Sequence, residues 1–195
     1  MKIQDILVSA NIAACPGRFR QALAILLPLE CAFEDDNATI RMENVPGDSG
    51  GRTFAGLDEA TWGPLGFAYE APNPAAVVKC YECEWNRLRC CELPSTVGIA
   101  LFIQATNQGD KRCETMLQEA VNDFTLPSKQ ITVDGVIGPA TIKAAWPINS
   151  DDLTRAFLAK SKARYKQILA SGRFDQFADG WMNRINHVTD KLGLA

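Results

Sequence analysis

Acid-catalysed cleavage of a glycosidic bond needs a carboxylic acid that holds its proton near neutral pH. Glu30 sits where such an acid could form. Phe19, Ala22, Leu23, Leu26 and Leu29 recur at helical spacing, which predicts one buried face over residues 19–30. Glu30 follows Leu26 by four residues and falls on that face, where burial favours the protonated form of a carboxyl group. Eighteen residues later begins the run Asp48-Ser49-Gly50-Gly51-Arg52-Thr53-Phe54-Ala55-Gly56-Leu57. Asp48 and Thr53 are five residues apart and offer a second carboxylate and a hydroxyl. Acid-catalysed glycoside cleavage also needs a second group at the oxocarbenium-like centre. Gly50 and Gly51 would let the backbone come close to a sugar. The plainer alternatives are a solvated or arginine-paired glutamate at a helix end and an aspartate satisfying its own turn amides.

Several helices and one small extended region must position these groups. Pro16 suits the first turn of a helix that Pro28 should kink or end near Glu30. Residues 31–56 carry loop and hairpin chemistry, with extended pieces near 39–42 and 53–55. A helix is expected over 75–91, and Pro94 opens another that is apolar nearly all round until Asn107-Gln108-Gly109. Cys113, Met116, Leu117, Ala120 and Val121 form an amphipathic face over 111–122. Asp134-Gly135-Val136-Ile137-Gly138-Pro139 reads as a turn leading into a short helix. Ser150 reads as the N-cap of the next, and Phe174, Phe177, Trp181, Ile185 and Val188 form the stripe of the last. The expected class is mainly α, an α+β lysozyme-like arrangement: a helical bundle with one small β-hairpin lobe. Residues 1–93 would form an N-terminal lobe with the hairpin and 94–195 a C-terminal helical lobe, together one compact unit.

Composition narrows the function classes. The 195 residues are 47% hydrophobic and 22% charged, with a net charge of −3. That balance excludes a nucleic-acid footprint, and any grip on an anionic polymer must be local. No apolar run reaches the roughly 20 residues that cross a bilayer. Ile12-Ala13-Ala14-Cys15 looks like a lipoprotein cleavage box, but Gln4, Asp5 and Asn11 interrupt the apolar core a signal needs. The protein is therefore expected to be made without a clear signal peptide.

Seven cysteines are many for a reduced compartment. Cys80, Cys83, Cys90 and Cys91 lie in one expected helix, too far apart along it to bridge, so they read mostly as buried thiols. Cys80-x-x-Cys83 with Cys113 or His187 is only half of a zinc pattern. His187 reads as a surface residue near a helix end. No metal or cofactor is called for.

Several segments in this order resemble the glycoside hydrolase family 108 muramidases, which cleave peptidoglycan and occur among phage endolysins and bacterial lysozyme-like proteins. Glu30-Cys31-Ala32-Phe33 corresponds to that family's Glu-Gly-Gly-Tyr, and the 48–57 run to its Asp-Pro-Gly-Gly-x-Thr-x-x-Gly-Ile loop. Tyr81-x-x-x-Trp85 through Leu93-Pro94, then Ala100-Leu101-Phe102 to Asn107-Gln108-Gly109, match later segments. Leu117-Gln118 with the 134–141 turn resembles its peptidoglycan-binding signature. Arg164-Tyr165 and Phe177-x-x-Gly180-Trp181-x-x-Arg184 complete the pattern.

The resemblance implies Glu30, Asp48 and Thr53 as the catalytic set. Gly50, Gly51, Tyr81, Asn107 and Trp181 would be saccharide contacts. Inverting and retaining chemistry both stay open. The implied partner is bacterial peptidoglycan, reached in the periplasm or cell wall after delivery by phage lysis or a secretion machine. An immunity protein would accompany the second route, and neither nucleic acid nor membrane is a partner.

Two departures weigh against turnover: Cys31 and Ala32 replace the paired glycines, and Ile103 stands where the family carries an aspartate; the loop before Asp48 is also longer. Glu34, Asp35 and Asp36 could stand in for that acid. The competing readings are a catalytically impaired peptidoglycan-binding or structural protein of the same fold, and a cysteine-based zinc or redox protein.

Overall fold

The computed structural model describes residues 1–11, 15–34, 36, 38–44, 49–170, 172 and 174–195. The chain is mainly helical with one small antiparallel sheet, and it divides into two compact units, Met1–Trp85 and Asn86–Ala195.

In the first unit a short helix α1, Ile3–Ser9, precedes α2, Pro16–Glu30. The expected face of α2 is realised: Phe19, Ala22, Leu23 and Leu26 are fully buried. Pro28 does not end it early. The ring falls in the last turn, and the Cys31 amide still donates to the Leu27 carbonyl at 2.9 Å. The box residues Ile12, Ala13 and Ala14 lie outside the described residues.

A three-stranded sheet follows, β1 (Glu43–Asn44), β2 (Arg52–Phe54) and β3 (Leu57–Asp58), in that spatial order. The register pairs Glu43 with Thr53 and Phe54 with Leu57. The short helix α3, Glu59–Trp62, leaves β3 with the Asp58 carboxylate accepting the Thr61 amide at 2.9 Å.

Helix α4, Pro74–Arg87, buries Val77, Val78, Tyr81 and Trp85, and Trp85 meets Phe19 at a ring separation of 5.5 Å. It stops short of the expected Cys91. Arg89 turns to φ 53 and a 3₁₀ turn, Cys90–Glu92, takes over, although apolar spacing continues through Leu88. Cys90 and Cys91 thus lie off the helix that carries Cys80 and Cys83.

In the second unit α5, Ser95–Gln108, is buried from Val97 to Ala105, as its all-round apolar pattern requires. It packs with α6, Asp110–Asp123, and α8, Ser150–Leu169, while α9, Ala178–Lys191, lies on α8. The short helix α7, Pro139–Ala145, packs on α6. Asn149, not Ser150, caps α8: its Oδ1 accepts the amides of Asp151 and Asp152.

Candidate active site

Glu30 is the last residue of α2 and is half-buried. The two-residue turn between β2 and β3 lies beside it. Ala55 and Gly56 both have positive φ, 52° and 79°, the primed geometry that matches strand twist in a tight hairpin. A Cβ on Gly56 would lie 2.7 Å from Glu30 Cβ and 2.7 Å from Tyr81 Oη. Only glycine allows this turn to sit against the glutamate side chain. Ala55, which pays about 1 kcal/mol in the left-handed region, is held by Tyr81: the phenol donates to its carbonyl at 2.7 Å. A second buried phenol, Tyr69, donates to the Leu57 carbonyl at 2.7 Å. Two tyrosines therefore fix both sides of Gly56. Tyr81, a saccharide contact by resemblance, is 2% exposed, and its hydroxyl serves the turn.

Thr53 is half-buried on β2, between Glu43 on β1 and Asp58 on β3 in the cross-strand register. The Asp58 carboxylate is occupied by its helix cap, whereas Glu43 is half-buried and 3.6 Å from Arg41. Asp48 lies outside the described residues, as does Asp35. Of the other acids considered, Glu34 is exposed, and the Asp36 carboxylate is occupied by Ala38 and Thr39. Those hydrogen bonds hold Asp36 down at about 2.

Gly51 has φ +72, and a Cβ there would lie 3.3 Å from Glu59 Oε2. Its use is conformational: it turns the chain so that the next residue meets that carboxylate. Glu59 accepts from Arg52 N at 3.2 Å, Nε at 2.8 Å and Nη2 at 2.5 Å, and Gly50 O accepts the Ala60 amide at 3.0 Å. Arg52 also reaches Glu70 at 2.9 Å and lies over the Tyr69 ring. The guanidinium holds Glu59 at about 2 and lowers Glu70. This clamp fixes the hairpin to α3, and the sequence reading missed it.

The remaining expected contacts, Asn107 and Trp181, belong to the second unit. Trp181 stacks on Tyr165 at 5.0 Å and on Phe177 at 5.9 Å, and Phe174 lies 6.2 Å away. The Tyr165 hydroxyl donates to Asn107 Oδ1 at 2.7 Å. Phe174 and Phe177 are 40% and 48% exposed, so the cluster presents aromatic surface.

The 134–141 turn is organised by buried Gln118. Its Nε2 donates to Asp134 Oδ1 at 2.8 Å and to the Val136 carbonyl at 3.0 Å. Thr141 Oγ1 lies 3.2 Å from Nε2, and Oε1 accepts the Gly135 amide at 2.8 Å. The Gln118 bond holds the Asp134 carboxyl below its ordinary range.

Cys15 and Cys91 are disulfide-bonded, a departure from the expected mostly buried thiols. Of the free cysteines only Cys90 and Cys113 are buried. Burial pushes Cys113 and Cys31 up to about 12 and Cys80 to about 11, with Glu30 also raising Cys31. Thiols so shifted are poor nucleophiles at neutral pH. Among the described residues no group of three His, Cys, Asp or Glu side chains could hold a metal ion. No helix among them is long and apolar enough to cross a membrane.

Residues 112–186 match the family model described as a predicted peptidoglycan domain. The solved structure of SagA from Brucella abortus is similar over 91% of this chain and 95% of SagA, with a TM-score of 0.70 and 25% identity. No curated protein matches the chain. The family match associates the chain with peptidoglycan. It spans Gln118, the 134–141 turn and Trp181, and leaves out Glu30 and the hairpin.

Proposed function

We propose that this chain is a lysozyme-like muramidase that hydrolyses the β-1,4 bond between N-acetylmuramic acid and N-acetylglucosamine in peptidoglycan. The observation that carries the reading is the seating of the Gly56 turn against the half-buried Glu30 side chain. Glu30 is the general acid, protonating the leaving oxygen as the glycosidic bond breaks. Thr53 orients the water that adds to the anomeric carbon, and Asp48 takes that water's proton in an inverting reaction. In a retaining reaction Asp48 instead attacks the sugar. Carboxyl groups roughly 6.5–9.5 Å apart suit inversion, and about 5 Å suits retention. The exposed aromatic rings around Trp181, with Asn107 beside them, supply stacking and amide contacts to a glycan in the second unit.

The protein acts in the periplasm or cell wall, delivered as a phage endolysin or an antibacterial effector, the latter with an immunity protein. The oxidised Cys15 and Cys91 fit an oxidising compartment.

A second reading, a non-catalytic wall-binding protein, is favoured by the family match, which omits Glu30. It is also favoured by Ile103, fully buried where the resembling family carries an acid.

Digestion of purified peptidoglycan by wild type and Glu30→Gln, with borohydride reduction and mass spectrometry, separates the two. Muramitol ends from wild type alone are expected. Their absence from both proteins, with the chain still sedimenting with the wall, would establish the binding reading.

A further inference from the structure

A cleft of about 240 Å³ opens between α6 and α8 in the second unit. Arg112, Thr115 and Glu119 line it from α6 at i, i+3 and i+7, and Lys160, Arg164 and Gln167 line it from α8 at i, i+4 and i+7. Three cations against one carboxylate make it a basic spot on a chain of net charge −3. Lys160 is shared with Asp123 at 2.8 Å. Neither Arg112 nor Arg164 makes an ion pair or hydrogen bond among the described residues. Arg164 is nevertheless half-buried. Holding a guanidinium part-way out of water without an anion is unfavourable, and a planar carboxylate would satisfy it in bidentate fashion. Thr115 donates to the Lys111 carbonyl at 2.7 Å and keeps its oxygen as an acceptor. The Gln167 amide can both donate and accept, and Glu119 offers an anion for an amine.

We infer that this cleft binds the short peptide that branches from muramic acid in peptidoglycan. Arg112 and Arg164 take its carboxylate, while Glu119 takes the side-chain amine of its diamino acid. The pattern of two free cations, one anion and neutral hydrogen-bonding groups matches a peptide with both charge signs and not an uncharged glycan. All six residues fall within the 112–186 segment, so the cleft lies in the part of the chain that resembles a peptidoglycan domain. This inference rests on peptidoglycan being the target and does not require Glu30 to be catalytic.

Calorimetric titration of the full chain with a purified stem tetrapeptide, and separately with N,N′-diacetylchitobiose, an uncharged disaccharide without the lactyl carboxylate, tests it. Wild type is expected to bind the peptide, with affinity falling several-fold between low and about 0.3 M salt. Arg112→Gln with Arg164→Gln should weaken peptide binding about tenfold or more. The double Lys variant should retain an intermediate affinity, because charge survives without the planar fork. Circular dichroism would confirm that both variants remain folded. Unchanged affinity in the Gln variant, or no peptide binding by wild type, overturns the inference. Glu30→Gln is expected to bind the peptide as wild type does. A protein that binds peptide but cuts no wall would therefore refute the hydrolase reading alone, and one that cuts wall but ignores peptide would refute this one alone.

Discussion

Two glycine turns in this molecule are held by buried side chains, and they are built for different ends. At the hairpin tip, Tyr81 donates to the Ala55 carbonyl and Tyr69 to that of Leu57, and the Glu30 side chain lies beside the turn at a half-buried helix end. At the 134–141 turn, Gln118 engages Asp134, Gly135, Val136 and Thr141 together, so the turn's polar groups face inward onto one amide. The first arrangement positions an acid against a strained backbone, a pattern associated with functional sites. The second is scaffolding. The segment that looks most like a binding motif in sequence is thus occupied with its own fold, and ligand contacts in that unit must come from side chains around it.

The sharpest way to break this contrast is to put a methyl on each turn. Gly56→Ala forces a Cβ into Glu30 and Tyr81 at positive φ, and should cost about 2–4 kcal/mol. Gly135→Ala meets Lys111 Cγ and Thr115 Oγ1 at 3.0 Å, the first of them on a flexible chain, and should cost about 1–2 kcal/mol. Thermal denaturation ranks the two, and muropeptide release should vanish only in the first. Equal losses of activity at equal stability would dissolve the distinction.

Gln118→Leu should come next. It leaves the Gly135 amide without its acceptor and removes two donated bonds, costing about 2–3 kcal/mol. Hydrolysis per folded molecule should be unchanged at low temperature. A large fall in that specific rate would mean the turn takes part in the chemistry.

The helices were legible in the sequence because their signals are local. Residues 16–30 and the apolar run after Pro94 carry their periodicity within a few turns. The hairpin was legible as glycine-rich polar chain, but its register was not, because the pairing of Glu43 with Thr53 depends on the closure of the loop between them. Arg52 met Glu59 and Glu70 across 7 and 18 residues, and Tyr81 met Ala55 across 26. No period or spacing rule announces such contacts. The end of α4 was misplaced for a related reason: Leu88 keeps the apolar rhythm, while the left-handed Arg89 turn breaks the helix. Of the candidate site, the glutamate at the end of a buried helix could be read directly, and Gly56 only as one residue of the 48–57 run. The reason for that glycine could not.

Tyr81→Phe removes one hydroxyl and leaves the ring, so its effect should be modest, about 1 kcal/mol. It should lower kcat more than it raises KM, because the released Ala55 carbonyl lets the turn drift from Glu30. An unchanged kcat would show that strand pairing alone fixes the turn.

The smallest effect concerns the clamp beneath the hairpin, and acid is its probe. The Arg52 guanidinium lowers the Glu59 carboxyl from 4.5 to about 2 in the folded protein. A carboxyl depressed on folding contributes stability that is complete above its unfolded value and lost as pH falls toward the folded value. The contribution should therefore drain away between about pH 4.5 and pH 2. The pair is solvent-facing, so added salt should weaken it. Comparing the thermal midpoint of wild type and Glu59→Gln across that window isolates it: the gap present at neutral pH should close in acid. A gap that persists at pH 2 would assign Glu59 to packing, and the hairpin would then owe its position to Tyr69 and Tyr81.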